Sequence, residues 1–161
     1  MSARIAPLAT ADIDSVCRLA RTIWQSTYPA LISQAQIDFM LAERYAPATL
    51  QAQFDDPLHA WRVAWVADEV AGVAHAMMDG ASCKLDKLYV RPDSQRKGMG
   101  NALLQTIQDW ARQHAARRLW LQVNRGNTPA IAAYQKYGFR IVESHVFDIG
   151  NGFVMDDYVM E

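Results

Sequence analysis

The chain has 161 residues, which at roughly 150 residues per domain makes about one domain and excludes a second full one. Hydrophobic residues make up 51% and charged residues 20%, which excludes a disordered chain, a collagen-like repeat and a coiled-coil rod. Sixteen Lys and Arg against 17 Asp and Glu leave a net charge of -1, without the broad positive field of a non-specific nucleic-acid binder, so no nucleic-acid partner is expected. Cys17 and Cys83 are too few for a disulfide framework and have no CxxC or Cys/His cluster beside them, so they read as ordinary thiols and no metal site is expected. Residues 1–7 lack a basic segment followed by an apolar one, and no stretch approaches the roughly 18 apolar residues of a membrane span. A cytoplasmic protein with no membrane partner, one domain over 1–161, is the expectation.

The first 57 residues read mainly as helix. After a short strand over 3–6, Thr10 can cap a helix whose apolar positions Ile13, Val16, Ala20 and Ile23 recur at spacings of 3 and 4. Ser33 with Gln36 forms a capping box before a helix carrying Ile37, Met40, Leu41 and Tyr45 on one face. A third helical piece over 48–55 ends before Pro57. The period then changes to strands over 61–67, 70–78 and 82–90, joined by turns at Asp68-Glu69 and Asp79-Gly80 and closed by Pro92. From Gly98 the helical stripe Met99, Leu103, Ile107, Trp110 and His114 returns. A short strand over 119–123 follows, then a helix with Thr128 as N-cap and Pro129 in its first turn, stopped by Gly138. Strands over 139–142 and 153–160 close the chain. Three strands, helix, strand, helix and two strands predict an α/β sandwich with a mixed sheet.

The strongest local signal runs from Tyr89 to Gly100, where a strand, a Pro break, a basic glycine loop and a helix start follow one another. That order makes an anion cradle: Gly98 and Gly100 let a phosphate oxygen approach the backbone, the first helical turn offers unpaired N–H groups, and Arg96 and Lys97 add charge. A Walker loop would need Gly-Lys-Ser/Thr where Gly98-Met99-Gly100 stands, and a dinucleotide fingerprint would need a small residue where Leu103 stands.

These residues closely resemble the GCN5-related N-acetyltransferases (GNAT). Gln95-Arg96-Lys97-Gly98-Met99-Gly100, after a strand ending Leu88-Tyr89-Val90, is similar to that family's pyrophosphate loop. Asn127-Thr128-Pro129-Ala130-Ile131-Ala132-Ala133-Tyr134-Gln135-Lys136-Tyr137-Gly138-Phe139 is similar to its Asn-x-x-Ala-x-x-x-Tyr-x-Lys-x-Gly-Phe helix. The resemblance covers about 61–142 by motif, and the rest by element order. It implies a mixed, mostly antiparallel central sheet flanked by helices and acetyl-CoA as donor. It also implies a pyrophosphate on residues 95–101, that is Gln95 to Asn101, and a pantetheine arm paired to the backbone of Leu88 and Val90. Asn127, Ala130 and Lys136 belong to the second motif and are expected on the cofactor side.

The implied chemistry is direct attack of an amine on the thioester in a ternary complex, with no acyl-enzyme. The resemblance gives Tyr134 as the acid that protonates the departing thiolate. With phenol near pKa 10 and thiol near 8.5, transfer to a full thiolate is uphill by about 2 kcal/mol, so partial charge and the local field must help. Asp86 stands where many members carry a carboxylate, usually Glu, and is the base the resemblance favours, through a water because Asp is short. Flanked by Lys84 and Lys87, it reads equally well as an ion-pair partner. His75 and His145 are weaker base candidates, and each also reads as an ordinary strand histidine.

Trp24 and Tyr28 read by spacing as core or lid aromatics, and by resemblance as lining the acceptor pocket. Five basic residues, Lys84, Lys87, Arg91, Arg96 and Lys97, against Asp86 and Asp93 suit CoA phosphates. No Lys or Arg follows Arg140, while Glu143, Asp148, Asp156, Asp157 and Glu161 do, which reads as a solvated acidic edge or as attraction for a cationic amine. Residues 22–28 and 147–157 are loosely similar to the bacterial polyamine N-acetyltransferase branch. The expected acceptor is a small-molecule primary amine such as spermidine or spermine, with a peptide N-terminus or protein lysine, or a non-catalytic acetyl-CoA sensor, as alternatives. Homodimerisation, common in the family, is left open.

Overall fold

The computed structural model describes residues 3–95 and 97–161; Arg96, expected on the pyrophosphate, lies outside them. In chain order the elements are β1 (Arg4–Pro7), a 3-10 turn (Thr10–Asp12), α1 (Ile13–Thr27), α2 (Gln34–Arg44), α3 (Pro47–Phe54), β2 (His59–Val66), β3 (Glu69–Asp79) and β4 (Ser82–Val90). A second 3-10 turn (Pro92–Ser94), α4 (Met99–Gln113), β5 (Arg118–Asn124), α5 (Thr128–Lys136), β6 (Ile141–Gly150) and β7 (Phe153–Met160) follow. The strands form one seven-stranded sheet ordered β1-β2-β3-β4-β5-β7-β6. Only β4 and β5 run parallel; every other neighbouring pair is antiparallel.

Helices cover both faces of the sheet. One core joins α1, α2 and α3 to β2 and β3 through Val16, Ile23, Ile37, Met40, Leu50, Val63 and Val73. The other seats Leu103, Leu104 and Ile107 of α4 on Ala60, Ala64, Ala71, Ala74 and Ala76. Small residues on the strands and large ones on the helix let α4 approach the sheet closely. Gly72 belongs to this contact: a Cβ there would sit 3.1 Å from Leu103 and 3.2 Å from Met99.

Several element ends differ from the sequence reading, each for a local reason. Thr10 opens the 3-10 turn rather than capping α1, and the Asp12 carboxylate accepts the Ala9 N–H at 3.3 Å. Ser33 does cap α2, its hydroxyl accepting the Gln36 N–H at 3.1 Å. Gln36 does not complete the box; its buried amide crosses to β7 and donates to the Val154 carbonyl at 2.8 Å. Asn127, not Thr128, caps α5, its Oδ1 accepting from Ala130 N–H at 3.4 Å, so the motif asparagine is spent on the helix end. Gly138 stops that helix with φ +104°, as its position implies. The strand expected over 139–142 starts at Ile141 and runs on to Gly150. Its apolar-polar alternation is weak because this edge strand is exposed along most of its length.

Candidate active site

The site begins where two parallel strands part. β4 and β5 pair only at Ser82–Lys84 with Arg118–Trp120; from Leu121 onward β5 pairs with β7 instead. The rest of β4 therefore keeps an open edge. Arg91 N–H donates to Ala71 O at 2.7 Å, and antiparallel alternation then turns the backbone groups of Tyr89 toward β3 and those of Leu88 and Val90 toward the open edge. Of the three strand residues expected at the cofactor, Tyr89 thus offers no backbone pairing to the gap. A cavity of about 1290 Å³ fills the divergence, lined by Leu88, Tyr89, Val90, Gln95, Gly98, Gly100, Asn101, Asn127, Ala130, Tyr134 and Lys136.

At one end of this cavity lies the start of α4. The helical ladder opens with Ala102 N–H donating to Gly98 O at 3.0 Å, so the N–H groups of Met99, Gly100 and Asn101 have no acceptor within the helix, as an anion site requires. Gly98 has φ +80°, and a Cβ there would meet nothing within 4 Å; left-handed backbone is what demands glycine. Gly100 has a different reason: a Cβ there would sit 2.7 Å from the Tyr137 hydroxyl, so it lets α4 pack against the end of α5. Met99 turns its side chain into the core. Gln95 donates to Val90 O at 2.9 Å and ties the loop to the strand. The basic excess expected here is smaller than the count suggests. Lys84 and Lys87 face Asp86, and Arg91 is paired with Glu69 and Asp93. Exposed Lys97, and Lys136 on the cavity wall, remain on the cofactor side.

Tyr134 lines the middle of the cavity, its ring held edge-on against Phe139 at 5.9 Å. Burial, with Tyr28 and Tyr137 nearby, pushes its phenol up, so it stays a proton donor. Cys83 is pushed up to about 11 by burial, and burial with Asp14 raises Cys17; neither thiol is activated as a nucleophile.

Asp86 also reaches the cavity wall, with its Oδ2 doubly hydrogen-bonded and its Oδ1 facing, among the described residues, only the Lys84 ammonium. It is the extra residue of a bulge, since His75 pairs with Lys87 and Ala76 with Leu85. Its Oδ2 accepts from Lys87 Nζ and, at 2.9 Å, from His75 Nδ1, while Lys84 Nζ stands 3.7 Å from Oδ1. Behind it His75 Nε2 meets His59 Nδ1 at 2.8 Å, and the His75 ring stacks on Trp61 at 4.5 Å. Lys87 Nζ also lies over the rings of Tyr45 and Trp61. Burial would raise the Asp86 carboxyl, but Lys87, His75 and Lys84 outweigh it and hold it well below the usual range. Burial lowers His75 to about 4 against the pull of Asp86, so it is neutral and its Nδ1–H donates to Asp86. His145 is exposed on β6, beside Phe147 and outside the cavity lining.

The other end of the cavity is lined by Trp24, Tyr28, Met40, Arg44, Gln122, Met155 and Asp157. Trp24 and Tyr28 are buried, their rings 4.3 Å apart and tilted by 31°, and both also line the cavity, so they are core and cavity wall at once. Of the two charged residues here, Arg44 has no part in the sequence reading, and Asp157 enters it only as one of the acids of the tail. Half-buried Arg44 ends α2. Asp157 is 1% exposed; its Oδ2 accepts from Gln122 Nε2 at 2.9 Å, and its Oδ1 has no partner among the described residues. Burial raises its carboxyl despite Gln122, Arg44 and Lys84. The signal was present in strand parity: Met155, Asp157 and Val159 share the inward face of β7, so an acid occupies an apolar register position. The other tail acids stay outside, Asp156 on Arg125 and Glu161 on Arg118.

Comparison with known proteins fits this geometry. A family model described as "Acetyltransferase (GNAT) family" matches residues 15–139. Spermidine N(1)-acetyltransferase of Thermoplasma acidophilum is 24% identical over 97% of both chains. The mycothiol acetyltransferase of Corynebacterium glutamicum is 38% identical over 51% of this chain, which spans 28% of that relative's length. The [ribosomal protein bS18]-alanine N-acetyltransferase of Escherichia coli is 37% identical over 42% of this chain and 44% of its own. Among solved structures, the PaiA N-acetyltransferase of Thermoplasma acidophilum in complex with coenzyme A superposes with a TM-score of 0.86 at 22% identity, covering 99% of this chain and 98% of that one. With the family model spanning most of the sequence and the same divided sheet beneath it, the chain belongs to the acetyltransferase (GNAT) family.

Proposed function

We propose that the protein transfers the acetyl group of acetyl-CoA to a primary amine of a small cationic molecule, a polyamine being the leading class. The observation that carries the transfer reading is the divergence of β4 from β5, with Tyr134 between the open α4 N-terminus and the Arg44–Asp157 end. The residues fit the donor. The N–H groups of Met99, Gly100 and Asn101, with Lys97 and Lys136, would hold the phosphates, and the backbone groups of Leu88 with the Val90 N–H, whose carbonyl already accepts from Gln95, would hold the pantetheine arm. Acetyl-CoA supplies the thioester. Tyr134 then donates a proton to sulfur as the C–S bond breaks, and burial keeps that proton on the phenol until it is needed. Asp86 fixes Lys87 and closes the cavity wall.

The acceptor class is supported by the full-length likeness to a spermidine acetyltransferase and by a carboxylate at the acceptor end. Free CoA thiol released from acetyl-CoA is measured across polyamines, amino acids, aminoglycosides and short peptides, with Tyr134→Phe alongside. Tyr134-dependent release with spermidine or spermine is expected, with the variant's turnover lower by about tenfold or more and acetyl-CoA affinity within a few-fold. Release with peptides alone moves the acceptor to a protein N-terminus. Binding of acetyl-CoA with no release on any amine favours a sensor.

A further inference from the structure

We infer that Asp157, rather than Asp86, receives the acceptor's ammonium group and takes its proton. The inference rests on the acetyl-transfer reading above and names the base within it. Both aspartates line one cavity, and their hydrogen bonding separates them. Asp86 is surrounded by donors already in place, Lys87, His75 and Lys84, so a proton arriving there would disrupt a satisfied ion pair. Asp157 has one oxygen fixed by Gln122 and the other unpartnered in a nearly water-free position. A buried carboxylate oxygen without a donor is costly, and an ammonium N–H is the donor that would satisfy it. Gln122 sets the carboxylate's orientation.

The surroundings make Asp157 a more basic carboxylate than an ordinary aspartate. Tyr28 at the C-terminal cap of α1, Arg44 on α2, Lys84 on β4 and Asp156 on β7 are the ionisable groups that face Asp157, and His145 lies opposite it in the β6 register. Arg44 and Lys84 favour the ionised form; burial and Asp156 oppose it and prevail. A carboxylate raised by burial takes an amine proton more readily than one held low by a lysine.

The proton balance closes. The protonated amine gives one proton to Asp157 Oδ1, and its freed lone pair forms the N–C bond to the thioester carbonyl. As the C–S bond breaks, sulfur takes the Tyr134 proton, and the second proton lost by nitrogen restores the phenol. Asp157 returns its proton to solvent. The sum is acetylamide, CoA thiol and one proton released.

The test compares Asp157→Asn with Asp86→Asn in the full chain, using whichever amine the panel shows to be acetylated. Asp157→Asn is expected to lower kcat/KM for the amine about a hundredfold or more, with acetyl-CoA affinity within threefold, and to remove the low-pH limb of the rate profile. Asp86→Asn, if it folds, should keep that limb. Amine turnover in Asp157→Asn above a third of the parent's, or an unchanged low-pH limb, overturns the inference. A second readout needs no turnover: the Asp157 carboxyl carbon, assigned by NMR with the Asn variant, should titrate above the ordinary aspartate range. Spermidine, or another amine that binds, should lower that midpoint. No panel amine moving this resonance also overturns the inference, even if no acceptor is found; acetyl-CoA binding without turnover would overturn only the transfer reading.

Discussion

Asp86 and Asp157 sit on strands at opposite sides of the same gap and differ in almost every respect that governs reactivity. The β4 aspartate is the centre of a polar cluster that runs back through His75 and His59, with Lys87 clamped between it and two aromatic faces. The β7 aspartate has a single hydrogen bond, from Gln122, and among the described residues no ion pair within contact distance, Arg44 and Lys84 acting on it only from farther off. The charge of Asp86 is matched by cations the fold holds beside it, whereas Asp157 is one hydrogen bond short. Sharing a cavity wall, therefore, does not make two acids equivalent; the donors already in contact decide.

The sharpest way to break this comparison is to remove each acid and measure stability. Asp86→Ala leaves the buried Lys87 ammonium without its counter-ion and should destabilise the fold by about 3–5 kcal/mol in urea denaturation. Asp157→Asn keeps an acceptor for Gln122 and should cost only about 1 kcal/mol, the central value for a point substitution. Equal losses for the two would erase the distinction.

Acid sharpens it further. His75 has a folded pKa of about 4 against an ordinary 6.5, so between those values the unfolded chain binds the extra proton and stability falls as pH drops. The expected loss from pH 7 to pH 5 is about 2 kcal/mol, nearing 3 at pH 4. Asp86, held low in the fold, adds loss in the same direction below the ordinary aspartate range. His75→Gln should flatten the slope between pH 7 and 5; an unchanged slope would place its origin elsewhere.

The smallest effect lies at the α4 start, away from both acids. Gly98→Ala must adopt φ +80° in open space, costing about 1 kcal/mol of stability by calorimetry, while Asp157-dependent turnover is retained. A loss of turnover without loss of stability would show instead that the substituent itself blocks phosphate approach.

Most elements were legible in the sequence because their causes are local. The stripe from Met99 to Trp110, the alternation in β3 and β4, the Ser33 cap and the Gly138 stop each depend on a few neighbouring residues. The glycine loop, Tyr134 and the strand ending at Val90 were legible as motifs, and the fold brings them to one cavity. The pairing of Asp86 with its flanking lysines was one of its two readings, and both lysines face it. The rest was not local. Gln36 left its capping box for a carbonyl 118 residues away, a choice only burial against β7 explains.

By itself, the sequence determined the order of helices and strands, the glycine-rich start of α4 and the residue types that stand around the cavity, since periodicity, capping and φ preferences act over a few residues. The tertiary structure alone decided where β4 leaves β5, which of the tail's acids turns inward, and which aspartate is already neutralised. Those outcomes depend on strand register and on charges brought together from distant segments, and low-dielectric burial makes each such meeting count for more than it would in water.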